Sequence, residues 1–387
     1  MKRVLLATTA LCLGAGMAAA DIAMEGSAEM GVAGSKNDSA RFHTDVNLKF
    51  VLSGTTDAGV AFGTEIELSD IEDAGGRHTT NVDDQDGGIA VYMSDPDGFG
   101  TLTLGDTDGA YDWAMTELPG GGLRDEVEHG AHSGNGGLDA EYDGQILRYD
   151  RAIAAGFSFG ASLELDDDTG GTEGGDTADP IIGLGGKYEM DTGAGKLTLG
   201  GGYQRGGYRF NSEDDVEAVA TPFERTTEVT AQVFGGSAKM DFGGVAVTLN
   251  ASMGEAEGSY TTTGDNPNTV TLDGEFTHAG VGLGYTVGAL SLALNVGSLS
   301  EELTFDPSNN ATRDRVIGDQ TTTGVGFGAS YDLGGGASLV FGIGNTETEF
   351  DLTNEPDGTN PANTSASVTG DSDTDKYEWS LGVAFAF

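Results

Sequence analysis

The sequence predicts an all-β fold, a 16-stranded antiparallel transmembrane β-barrel, and three observations carry that prediction. Between Asp21 and Phe387 apolar residues recur at every second position, in segments of about 8 to 14 residues, the period of a strand with two unlike faces. The connections alternate between tight turns and long polar insertions. No apolar stretch approaches the roughly 20 residues of a membrane helix, and the mean hydropathy is -0.23. If this chain meets a membrane, it does so as strands.

Residues 1–20, "MKRVLLATTALCLGAGMAAA", form a basic start at Lys2 and Arg3, an apolar middle and a small-residue end, the pattern of a cleaved export signal. The mature domain is then expected to span 21–387. The one cysteine, Cys12, lies in the signal, so the mature chain must hold together without disulfides.

The strands follow in order. "DIAMEGSAEMGVAG" sets Ile22, Met24, Ala28, Met30 and Val32 against Glu25, Ser27 and Glu29. "RFHTDVNLKFVLSG" sets Phe42, Val46, Leu48 and Phe50 against Arg41, His43, Asp45, Asn47 and Lys49. "GVAFGTEIELSD" sets Val60, Phe62, Ile66 and Leu68 against Glu65 and Glu67, and "GFSFGASLELD" sets Phe157, Phe159 and Leu163 against Ser158, Gly160, Ser162 and Glu164. The same reading gives segments near 22–34, 41–53, 59–69, 87–95, 99–106, 145–151, 156–166, 181–190, 196–210, 225–240, 244–257, 272–286, 289–303, 321–333, 337–350 and 376–387.

A water-soluble sandwich uses strands of about 5 to 6 residues and turns its apolar face to a packed core. Here the strands are long and the second face mixes acids, Lys, Ser and Gly, which suits lipid outside and water inside. Short turns such as "DPDG", "DFGG" and "LGGG" at one end, and long loops at the other, follow the same plan. A barrel of 16 to 18 strands leaves an aqueous channel. The longest insertion, about 106–144, follows the fifth strand and is the candidate to fold into the lumen and narrow it.

At this point "FVLSGTTDAGVAFGTEIEL", "GFGASYDLGGGASLVFGI", "MEGSAEMGVAG" and the terminal phenylalanine resemble the general porins of alphaproteobacteria, the Rhodobacter type. The resemblance covers the mature chain in outline and is close in the strand-turn-strand pieces. It implies an outer-membrane homotrimer of 16-stranded barrels, passing small hydrophilic solutes, whose third long loop forms the pore constriction. It also implies acids and structural calcium on the loop, facing basic residues on the wall.

The loop acids are Asp106, Asp108, Asp112, Glu117, Asp125, Glu126, Glu128, Asp139, Glu141 and Asp143. The wall departs from the family pattern, because the inward positions of the second strand that carry arginines there hold Asp45 and Asn47 here. Strand parity leaves Arg41, Lys49 and Arg148 as wall cations beside Glu65, with Arg77 and Arg151 as further candidates. A lumen that is acidic throughout is the expectation, and rings of one charge select the opposite ion.

The formal charge is -45, and -47 without Lys2 and Arg3. Such a chain excludes nucleic acid as a partner and favours divalent cations. Expected partners are the lipid bilayer with its lipopolysaccharide, small hydrophilic solutes and cations. Calcium suits clustered carboxylates and loop carbonyls, although no EF-hand spacing is present and the acids at 83–86 and 166–168 also read as solvated loop charge.

Other chemistry finds little footing. "GFSFG" fits G-x-S-x-G, but Ser158 lies inside an alternating strand with no helix after it, so no enzyme is expected. "GVGFGA" continues as strand and lacks the dinucleotide mechanism. His129 and His132 are close in sequence on a loop, where solvation is the simpler reading. An exported calcium-binding adhesin is the alternative, and it would call for a G-G-x-G-x-D repeat that is absent. The last segment, "YEWSLGVAFAF", is expected to close the sheet against the first strand near Ile22, with Phe387 in the periplasmic aromatic girdle as an insertion signal.

Overall fold

The computed structural model describes residues 21–36, 39–68, 88–123, 137–138, 145–165, 179–214, 223–262, 268–307, 315–355 and 369–387. The export signal expected at 1–20 lies outside them, as do Arg77, His129 and His132.

Among the described residues the strands are β1 (Asp21–Ser35), β2 (Arg41–Thr55), β3 (Ala61–Leu68), β4 (Ile89–Asp95), β5 (Gly100–Asp106), β6 (Gln145–Ala154), β7 (Phe157–Glu164) and β8 (Asp179–Asp191). They continue as β9 (Lys196–Asp214), β10 (Phe223–Phe242), β11 (Val245–Thr262), β12 (Asn268–Val287), β13 (Leu290–Pro307), β14 (Arg315–Gly334), β15 (Ala337–Glu355) and β16 (Thr369–Ala386). Each pairs antiparallel with its sequence neighbours and β16 pairs with β1, so the sheet is a closed barrel of the expected 16 strands. One short helix, α1 (Ala110–Ala114), interrupts the insertion after β5.

Alternation decides which way each residue points. Met24 and Met30 on β1, Val91 and Met93 on β4, Ile182 and Leu184 on β8, and Val281 and Leu283 on β12 are all exposed apolar side chains. These are the lipid-side positions, and the alternate residues face the lumen. Cross-strand register stacks the outer residues into apolar rows, such as Leu249, Val281, Val296 and Val325 on β11 to β14. Phe62, Phe157, Phe242, Tyr285, Tyr331 and Phe387 are exposed near the short-turn end, as an interfacial girdle requires. The turns there are glycine-dependent: Gly243 and Gly244 have φ of 55° and 86°, the two left-handed central positions of a type I′ hairpin.

Two differences from the sequence reading have physical causes. The strands from β9 onward run further toward the long loops than expected, to 18–20 residues in β10 through β14. Beyond the apolar rows both faces meet water, so the alternation that betrays a strand disappears. An outward row there is wholly acidic, with Glu255, Glu275, Glu302, Asp319 and Asp351 directly opposite one another on β11 to β15. The second difference is the seam: β16 pairs with β1 from Ser27↔Ala386 to Ser35↔Glu378, while Ile22 pairs with Leu52 of β2. Phe387 donates its backbone N–H to the carbonyl of Gly26 at 2.8 Å and stacks against Phe385.

Candidate functional site

After β5 the chain turns into α1, whose N-cap Gly109 is extended and whose single turn is closed by Trp113 N–H donating to Gly109 O at 2.9 Å. Five residues are too few to form a stable helix alone. Packing holds it: Tyr111 is 1% exposed and forms a small apolar cluster with Met115 and with Val233 of β10, joined by Leu138 and Phe276.

From α1 onward the segment is fastened to lumen-side positions of the wall. Ser162 on β7 accepts from Ala110 N at 2.9 Å, Ser237 on β10 from Thr116 N at 2.9 Å, and Ser380 on β16 from Leu123 N at 2.8 Å. Gln204 on β9 accepts from Leu138 N at 2.6 Å, and Asn295 on β13 donates to Pro119 O at 3.1 Å. Four of these five contacts satisfy loop backbone N–H groups that secondary structure leaves unpaired. None of the five wall residues was singled out by the sequence reading as a loop contact. The signal was a small polar residue at inward parity, which also fits bare lumen lining.

The charged wall is richer than expected. Arg148 has the parity opposite the outward Leu147 and Ile153: its Nη1 donates to Asp108 O at 2.6 Å and its Nε to Asp150 Oδ1 at 3.3 Å. Beside it stands Lys187 of β8, close enough to interact electrostatically, with its Nζ 4.3 Å from the centroid of the Trp113 ring. Lys187, Lys196 and Lys239, on β8, β9 and β10, all occupy lumen-side positions that the sequence reading missed; at Lys187 the preceding glycines blur the alternation. Lys49 pairs with Glu65 at 2.5 Å, as their register across β2 and β3 allows. Lys196 pairs with Glu189 at 2.9 Å, Lys239 with Asp241 at 3.3 Å and Lys376 with Glu378 at 3.1 Å. Asn47 donates to Asp45 Oδ2 at 2.7 Å, and His43 lies 3.7 Å from Glu29. Arg41 opens β2 at the exposed end, whereas Arg151 has the parity of the outward Leu147 and Ile153 and leaves the wall set.

Of the loop acids, Asp106 ends β5, Asp108 lies 4.0 Å from Arg148, Asp112 sits in α1, and Glu117 is exposed. Asp125, Glu126, Glu128, Asp139, Glu141 and Asp143 lie outside the described residues, as do the acids at 83–86 and 166–168. Among the described residues no three His, Cys, Asp or Glu side chains are grouped to hold a metal ion.

Comparison with known proteins agrees with this architecture. A family model described as Gram-negative porin matches residues 7–351. A porin of Rhodobacter capsulatus is 28% identical over 337 residues, covering 84% of this chain and 95% of that protein. A porin structure refined at 1.8 Å superposes with a TM-score of 0.55 at 22% identity, over 95% of this chain and 100% of that one. The anion-selective porin of Comamonas acidovorans has a TM-score of 0.51 at 16% identity, and the trimer form of OmpT of Vibrio cholerae 0.51 at 14%; each is covered completely by 95% of this chain. Nothing among these relatives favours the calcium-binding adhesin. The chain belongs to the Gram-negative porin family, as a β-barrel channel of the outer membrane.

Proposed function

We propose that this porin is a weakly cation-selective diffusion channel for small hydrophilic solutes and ions, narrowed by the segment 106–144. The observation that carries the selectivity is the pairing of five wall cations, with Lys187 over the Trp113 ring standing apart from them. Lys49, Arg148, Lys196, Lys239 and Lys376 each sit within 4.0 Å of a carboxylate, so their fields are largely cancelled. Glu25, Glu29, Glu67 and Glu301 share the lumen-side parity and leave the wall negative in sum. A relative of the same fold is described as anion-selective, so the fold does not set the sign of the ion and the wall residues must. Reversal potential across a bilayer under a salt gradient tests this; a preference for anions would sink it.

Chain reach supports the constriction. From Ser162 on β7 to Ser380 on β16, passing Ser237 and Asn295 in order, the wall takes nine strand-to-strand steps. At about 4.8 Å per step that is about 43 Å along the sheet. The turn of helix advances about 1.5 Å per residue and the rest at most about 3.4 Å, so the chain from Ala110 to Leu123 reaches about 37 Å. An arc inside the barrel fits that length better than a path along the sheet.

The wall height supports a homotrimer. β4 and β5 have 7 residues each and end on both sides in described, non-strand chain. At about 3.4 Å per residue and a tilt of about 40° they rise about 18 Å, less than the apolar band of about 25 Å. Their exposed Ile89, Val91, Met93 and Leu104 then call for cover by another copy rather than lipid. The taller walls take the bilayer and its lipopolysaccharide as partners. Structural calcium on acids of the 106–144 loop belongs to the same reading, and titration of the purified trimer with calcium and a chelator while following thermal stability tests it. Phe387 is proposed to act in insertion.

A further inference from the structure

We propose that Ser162, Ser237 and Ser380, together with glycines of the inner wall, are positioning residues that seat the loop by its backbone and so set the channel's cross-section. This rests on the reading of 106–144 as the constriction. The three serines lie on β7, β10 and β16 and accept from three loop N–H groups at 2.8–2.9 Å. A contact to backbone does not depend on which side chain the loop carries.

Around these polar contacts, several wall positions that the loop passes are glycine. A Cβ on Gly202 would stand 2.9 Å from Tyr111 Cδ2, on Gly235 2.8 Å from Met115 Cε, and on Gly280 2.5 Å from Leu118 Cδ1. On Gly328 it would stand 2.6 Å from Gly121 Cα and on Gly382 2.7 Å from Leu123 Cδ1, while Gly282 would meet Pro119. Glycine weakens a strand interior and marks a bulge or the close approach of another segment. The register runs without a shift between β9 and β10 and from β10 through β13, so bulges do not account for Gly202, Gly235, Gly280 and Gly282. Close approach of the loop does.

The only cysteine of the chain is Cys12, in the expected signal, so an introduced pair reports cleanly. A Cβ on Gly160 would lie 3.4 Å from Ala110 Cβ, close to the ~3.5–4.5 Å that a disulfide spans. The experiment uses the full mature barrel with A110C/G160C, alone and combined with S162A/S237A or with G235V, reading disulfide formation and single-channel conductance. The original wall should cross-link on mild oxidation. S162A/S237A should raise the unseated population by about fivefold per lost hydrogen bond, slowing cross-linking and raising conductance. Oxidising the cysteines should then restore the original conductance, which a general folding defect would not allow. G235V should also raise conductance.

Failure of A110C/G160C to cross-link in the original wall would overturn the seat. So would unchanged conductance and cross-linking in both S162A/S237A and G235V while deletion of 106–144 enlarges the conductance. If the deletion leaves conductance unchanged but S162A/S237A still slows cross-linking, the seat stands and the constriction reading falls.

Discussion

Lys187 offers the sharpest test of how the wall chooses ions. It is the one lumen-side lysine of β8, stacked over Trp113 with its Nζ 4.3 Å from the ring centroid, and Arg148 is its cationic neighbour. Lys187→Met keeps the aliphatic stem on the indole and removes the charge. An ion passing about 5 Å from the ammonium in water feels about 0.8 kcal/mol from it, which is about fourfold in local concentration. Removing it raises potassium and lowers chloride by that factor each, so the permeability ratio of potassium over chloride should rise by up to about sixteenfold. The assay is reversal potential under a potassium chloride gradient, run near 0.1 M and again near 1 M, where the screening length falls from about 10 Å to about 3 Å. The shift should be large in dilute salt and nearly vanish in concentrated salt. An unchanged reversal potential at 0.1 M would refute the assignment of Lys187 to the ion path. A shift of equal size at 1 M would show that the loop had moved instead.

Three further outcomes are expected. Tyr111→Ala empties the centre of the apolar cluster under the loop, a loss on the order of 3–5 kcal/mol for a buried aromatic, and should raise open-channel noise and conductance while the barrel's melting temperature stays nearly constant. Val91→Lys on the outer face of β4 should shift trimers to monomers on native gels, because a lysine in an apolar contact or in lipid costs about 2–4 kcal/mol; intact trimers would remove the short wall from the interface. Phe387→Asp should lower the yield of assembled barrels in the outer membrane several-fold while those that assemble conduct normally, and a normal yield would refute the role of the girdle aromatic.

The barrel was legible because lipid enforces alternation. Every strand appeared within a few residues wherever it crosses the apolar rows, as on β1, β2, β7 and β11. Where the wall stands in water on both sides the rule lapses, so β12 begins at Asn268 rather than near 272 and β16 at Thr369 rather than near 376. The inward facing of Asp45, Lys49, Glu65 and Arg148 followed from parity. Lys187 escaped because "GLGGKYEMD" offers too few bulky residues to fix its phase. The loop seat escaped for a different reason: a glycine facing water and a glycine facing another segment read alike until the partner is in place.

The pairing of Ser27 with Ala386 joins residues from nearly opposite ends of the chain. Every other strand contact is between sequence neighbours, so hairpins can form one at a time from local segments. Closing the ring is the exception, and long-range pairing is what makes β folds slow. The entropy of bringing distant ends together grows only as the logarithm of the separation, by about 0.6 kcal/mol per doubling. Closure therefore adds little to the final energy and a great deal to the wait, during which β1 and β16 each present an unpaired edge. Assembly is then a race between this seam and any foreign strand that reaches those edges first.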